Sequence, residues 1–198
     1  MSVRHEPEAA HGPHPRARSA GENGAEPADA GAKALAALRI ALGGIFLWAF
    51  LDKTFGLGYA TRAETAWGNG GSPAGGYLAH VDGPMASTYH GWAGAVWVDW
   101  LYMAGMLGLG LALLAGVALR VTAASGTLMM AMMWLGQWPP GRELSDGSPS
   151  MSTNPLLDQH VVYALAMIAL ALCSAGRVWG LGRYWSRLPV VSTHRWLR

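Results

Sequence analysis

The chain has 198 residues, of which 52% are hydrophobic and only 13% charged, about half the charged fraction of an ordinary soluble domain. The one cysteine, Cys173, excludes a disulfide framework, a Cys-x-x-Cys redox centre, a cysteine-bound iron–sulfur cluster and a c-type haem site. The pI near 8.9 does not point to nucleic acid, because the net charge is only +2 and the arginines fall where membrane topology would put them.

Residues 1–32 are rich in Ala, Gly, Pro and Glu and are expected to form a disordered cytoplasmic tail. His5, His11 and His14 lie in it without the ordered surroundings a metal site needs. The first span is predicted at 34–51, ending at Asp52-Lys53 rather than at a small-residue cleavage site. Arg39, one turn inside it, is expected to snorkel toward the headgroups, the alternative being a buried ion pair. An outer link, 52–97, follows. Its glycine-rich middle, 68–76, reads as flexible turn, and its uncharged end, 85–96, as an interfacial or re-entrant helix.

Three uncharged stretches, 100–119, 121–141 and 159–176, are of the length needed to cross a bilayer. They place the remaining spans at about 98–119, 121–138 and 159–176, with Arg120 alone between the second and third. Small residues between Gly105 and Gly116, with Gly43 and Gly44, would allow close helix packing. The tail after the last span, with 181–198 as its basic end, carries five arginines and no acid. Eleven lysines and arginines fall on the side of the two termini, against Lys53, Arg62 and Arg142 on the other. The expected fold is therefore all-α: a polytopic four-transmembrane-helix bundle, 33–180, with both termini cytoplasmic.

Aromatic and polar residues gather toward the outer face. Trp97, Trp100, Trp134 and Trp138 read as an interfacial belt or as flat walls for a quinone headgroup. Lys53, Asp99, Gln137, Arg142, Asp158, Gln159 and His160 lie at the same level, where ionisable groups are costly and are functional candidates. As a histidine, a residue type suited to proton exchange, His160 is a candidate to handle the protons of quinone reduction, with Asp99 or Asp158 orienting it. The structural alternatives stay open: Asp158 reads equally as a helix N-cap, and Asp52-Lys53 as a solvated helix end. His80 and His90 match no zinc spacing, the methionines at 129, 130, 132 and 133 point in different directions, and Cys173 reads as a small buried hydrophobe. There is no haem, flavin, phosphate-loop or metal motif.

The segment LRIALGGIFLWAFLDK at 38–53 resembles the opening helix of DoxX/DoxD-type membrane proteins. GLGLALLAGVALR at 108–120 resembles their second helix with its glycine-rich turn and arginine, and Asn154-Pro155 followed by Asp158-Gln159-His160-Val161-Val162-Tyr163 is similar to the start of their last helix. The likeness covers roughly 34–180.

The resemblance implies a bacterial-type cytoplasmic membrane protein with one of two functions. DoxD-type proteins are the large subunit of thiosulfate:quinone oxidoreductase, which couples thiosulfate oxidation to tetrathionate with reduction of a quinone, the electron acceptor. Other DoxX-type proteins are anchors in redox-protective assemblies with a sulfurtransferase and a superoxide dismutase. The long outer link favours the DoxD side. The implied partners are the lipid bilayer and a small subunit or one of those soluble enzymes, with self-association compatible and nucleic acid not. A solute transporter is disfavoured by the lack of an inverted repeat or a charged, broken helix.

Overall fold

The computed structural model describes residues 22–138, 143, 149, 154 and 156–197. The regular structure is helical, and β pairing among the described residues is confined to one bridge between Glu143 and Pro149. In chain order the helices are α1 (Glu22–Phe55), α2 (Gly75–Ala79), α3 (Ala86–Trp92), α4 (Val96–Ala115), α5 (Leu119–Gly136), α6 (Gln159–Leu172), α7 (Gly182–Trp185) and α8 (Pro189–Thr193). Two stretches, Asp29–Phe55 and Val96–Ala115, are long and apolar enough to cross a membrane. The third expected span corresponds to α5, with 18 residues. The fourth corresponds to α6, whose 14 residues rise about 21 Å, short of a bilayer core of about 30 Å. The first helix starts at Glu22, within the stretch expected to be disordered.

Helix α1 packs on α4, and α5 on α6. Leu42, Phe46, Leu109, Leu113, Met130, Met167 and Leu170 form the shared core. Glycine lets α1 and α4 approach: a Cβ on Gly110 would stand 2.8 Å from the Leu47 backbone nitrogen, and one on Gly43 would stand 2.9 Å from that of Leu114. Gly44 and Gly108 face open space, so only part of the small-residue pattern serves this contact.

Helix α4 stops at Gly116, which adopts a left-handed conformation (φ 71°) that favours glycine. All four carbonyls of its last turn find donors, as backbone groups without water must. The Ala112 carbonyl accepts from the Gly116 and Val117 N–H groups, and that of Ala115 from Leu181 N–H at 2.7 Å. Arg39 supplies the rest. Its Nη1 donates to the carbonyls of Leu113 and, at 2.9 Å, Leu114, while Nη2 donates to those of Trp179 at 2.8 Å and Val178 at 3.3 Å. Arg39 is 0% exposed. It therefore neither snorkels nor forms an ion pair; the negative end of the α4 dipole and a neighbouring turn hold its charge. Gly116 and Gly180 pack directly against the guanidinium.

The C-terminal segment is folded onto this end of the bundle. Trp185 Nε1 donates to the Leu197 carbonyl at 2.6 Å, Val191 is buried, and the turn Arg195–Leu197 packs on α5. Cys173 is exposed rather than buried, because it lies at the end of α6, beyond the packed α5–α6 face.

Candidate functional site

The link 52–97 is a folded cap rather than the flexible turn expected of its glycine-rich middle. Two buried carboxylates staple it to the helices. Asp52, in the last turn of α1, accepts the backbone N–H groups of Tyr59 (3.2 Å) and Ala60 (2.9 Å). Asp99, in the first turn of α4, accepts the Ser72 hydroxyl at 3.0 Å and the Ala74 N–H at 2.9 Å. Between these anchors the glycine-rich stretch turns tightly, with Gly70 at φ 87°. Ala74, Leu78, Val81 and Tyr89 then form a second small core.

Tyrosines join this cap to α5. The Tyr77 hydroxyl donates to the Met133 carbonyl at 2.6 Å, and the Tyr89 hydroxyl to that of Met132 at 2.8 Å. Burial, helped by the charges of Tyr89, Asp158 and Tyr102, pushes Tyr77 up to about 12, and burial also raises Tyr89. Both remain neutral donors at physiological pH.

Beneath the cap lies a cavity of about 950 Å³, within the range of small-molecule sites. Its polar end carries Lys53, Glu64, Thr65, Asn69 and Ser72, and its aromatic wall is Tyr77, Tyr89, Trp92 and Tyr102. The rest is mostly apolar, supplied by the cap itself, with Ala60, Pro73, Ala74 and Leu78, and by α4 and α5. Lys53 Nζ sits 5.8 Å from the centre of the Tyr102 ring, an arrangement favourable to a cation. Its hydrogen bond to the Pro73 carbonyl is long, 3.4 Å, so an ammonium with three donors has capacity left for a ligand.

The other expected site residues fall into separate places. Asp158 caps α6: its Oδ1 accepts the N–H groups of His160 (2.9 Å) and Val161 (3.2 Å), and its Oδ2 lies 2.6 Å from His160 Nδ1. Burial alone would raise the Asp158 carboxyl, but the His160 side chain and the capped backbone N–H groups hold it below the ordinary carboxylate range. The ionised carboxylate only accepts, so Nδ1 of His160 carries the proton in this pair. Neither residue lines the cavity. Asn154 prepares the helix start by accepting the N–H groups of Leu156 and Leu157, each at 2.9 Å.

This cap is testable. Asp158→Asn keeps a capping acceptor but removes the charge at the start of α6, and is expected to lower stability by about 0.3–1 kcal/mol at neutral pH. Because the folded carboxyl titrates below its unfolded value of about 3.9, the contribution is complete above that pH and disappears as acid protonates the folded form. Thermal unfolding of the two chains across pH 3 to 7 checks this: their difference should close only at the acid end.

Trp134 and Trp138 pair with ring centres 4.6 Å apart, and Trp134 Nε1 donates to the Leu156 carbonyl at 2.9 Å. Gln137 is the exposed C-cap of α5. Trp97 and Trp100 are both exposed and stand edge-on to Trp92 and Trp67 respectively. None of these lines the cavity, and Arg142 lies outside the described residues. Of the expected set, Lys53 alone faces the cavity, while Asp99 holds two lining residues, Ser72 and Ala74, in place. Sequence reasoning missed Tyr77, Glu64 and Asn69, and read the methionines of α5 only as packing. The signal for the methionines was their spacing, since 125, 128, 129, 132 and 133 form one helical stripe.

His80 and His90 bond locally, to the carbonyls of Gly76 and Val81. Among the described residues there is no group of three or more His, Cys, Asp or Glu side chains that could hold a metal. No family model, curated protein or solved structure matches the chain.

Proposed function

We propose that this chain is the membrane subunit of a quinone-linked oxidoreductase, with the cavity beneath the cap as its quinone site. The observation that carries this is the amphipathic cavity: a half-buried cation beside the Tyr102 ring, and apolar faces of α4 and α5 along the same lining. In this reading the bundle spans the membrane four times with both termini cytoplasmic, as the distribution of lysine and arginine favours.

Lys53 donates a hydrogen bond to one ring carbonyl and stabilises the negative charge that develops there on reduction. Glu64, exposed at the cavity wall, gives protons a route from water. The His160–Asp158 pair lies outside the cavity and is assigned to holding α6, with proton exchange as its further role. The electron donor proposed is thiosulfate, on the strength of the resemblance to DoxD-type proteins. Two thiosulfates each give up one electron and join through a new S–S bond to form tetrathionate; the quinone takes the two electrons and two protons to become quinol.

A membrane anchor for soluble redox enzymes is the second reading. It is favoured by the exposed Arg177, Arg183 and Arg187 on the C-terminal segment, interspersed with exposed Trp179 and Tyr184, a surface suited to anionic headgroups or an acidic partner.

The deciding experiment is thiosulfate-driven quinone reduction in vesicles with and without the protein. Tetrathionate and quinol in equal amounts, formed only with the protein, would establish the activity. No activity from folded protein, alone or with copurified partners, would discard it in favour of the anchor.

A further inference from the structure

The cavity is not sealed where α4 and α5 face each other. Its α4 wall consists of Val98, Leu101, Tyr102 and Gly105, and its α5 wall of Ser125, Leu128, Met129, Met132 and Met133. Each set is a single helical stripe, and each extends about 10–12 Å along its helix. The slot between them therefore leads from the Lys53 end to the middle of α4.

Two features give this slot its character. Leu101 and Leu128 line it and yet are 66% and 63% exposed, so it opens sideways through the apolar flank of the bundle. Gly105 makes room for the end of the Met129 side chain, which takes the space a Cβ there would fill, so a flexible thioether is what an entering tail would displace at this level. The one hydroxyl at depth, that of Ser125, is turned to its own helix and donates to the Val121 carbonyl at 2.9 Å. The deep part of the slot thus offers a ligand only hydrocarbon and thioether surface.

We infer that the slot between α4 and α5 is a lateral entrance for a ligand carrying a hydrocarbon tail. The head travels in from the bilayer and stops at Lys53; the tail lies between Leu101, Gly105, Leu128 and Met129 and continues into lipid. This rests on the proposed head-group site but makes a separate statement, that the bound molecule is an amphiphile admitted from the side. Lipid chains are as apolar as the slot, so seating the tail adds little affinity over leaving it in the membrane. The slot consequently selects by shape, and filling it should exclude tailed ligands while sparing tail-less ones.

The experiment uses the full chain in phosphatidylcholine nanodiscs with two probes that share one benzoquinone ring, one bare and one bearing a ten-carbon tail. Gly105→Leu and Ser125→Leu fill the slot from opposite walls. Ser125 is exposed and its replacement adds only an apolar side chain, so it carries the test if Gly105→Leu fails to fold. Each is expected to weaken the tailed probe tenfold or more and to leave the bare ring within twofold, whereas Lys53→Gln weakens both. A diazirine at the tail end should crosslink within 101–105 and 125–132. Slot variants that leave the tailed probe unaffected, or that weaken both probes equally, overturn the lateral entrance, as does crosslinking elsewhere. Loss of the Lys53 effect alone overturns the head-group site and leaves the entrance standing.

Discussion

An Arg39→Met chain is expected to lose about 3 kcal/mol or more of stability, since each buried carbonyl left without its donor costs about 1–3 kcal/mol. Methionine fills much of the space but donates nothing. The Leu114 carbonyl and those of Val178 and Trp179 then lose the donor that Arg39 provides, and each hydrogen bond from a charged group contributes about 1.5–3 kcal/mol. Arg39→Lys should fall between, because an ammonium keeps the charge at the end of the α4 dipole but cannot span two carbonyl pairs as a planar fork does. Thermal unfolding in one detergent, with limited proteolysis of 178–197 as a second readout, measures both. A methionine variant as stable as the parent would show that the four bonds are replaceable and that the arginine has another purpose.

The second large effect concerns the cavity. Lys53→Gln should lower quinone turnover roughly 10- to 150-fold, the factor that corresponds to losing one charge-assisted hydrogen bond of about 1.5–3 kcal/mol. Stability should change little, since the side chain's bond to Pro73 is long and the fixed points of the cap are Asp52 and Asp99. The comparison that matters is with Asp99→Asn, which should loosen the cap and lower the unfolding temperature. If Lys53→Gln retains full turnover in folded protein, the ammonium is not the head-group ligand. If it loses activity and stability together, the residue belongs to the cap and not to the ligand.

The sequence made the local features legible. The tight turn before Arg120 and the capping of α6 by Asp158 depend on neighbours a few residues apart, and so does the apolar character of α1 and α4; the end of α4 at Ala115 falls short of the expected 119, because a glycine that caps a helix and one that packs inside it look alike in the chain. What could not be read was anything whose partners lie far along the chain. The acceptors of Arg39 are 74 to 140 residues away, so snorkelling was the natural expectation for a single arginine near a helix end. Asp52 and Asp99 were visible as ionisable groups, but nothing local shows that backbone N–H groups of the link use them up.

The cavity was hidden for a related reason. Five segments line it, and its methionines and tyrosines fill ordinary places in apolar stretches. The tryptophans, conspicuous by number, drew attention to surfaces that lie outside it. The start of α1 at Glu22 was obscured by alanine and glycine, whose abundance reads as low complexity although alanine has the highest helix propensity.

The placement of Arg39 bears on how the chain matures. Two of its four acceptors belong to residues 178 and 179, which leave the ribosome 139 and 140 residues after Arg39 does. Until then a guanidinium one turn inside an apolar span has half of its final partners. A truncated or stalled chain would carry that deficit permanently, and quality-control proteases act on such partly formed species. The charge of the first helix is thus concealed only once a segment made far later has folded back onto it.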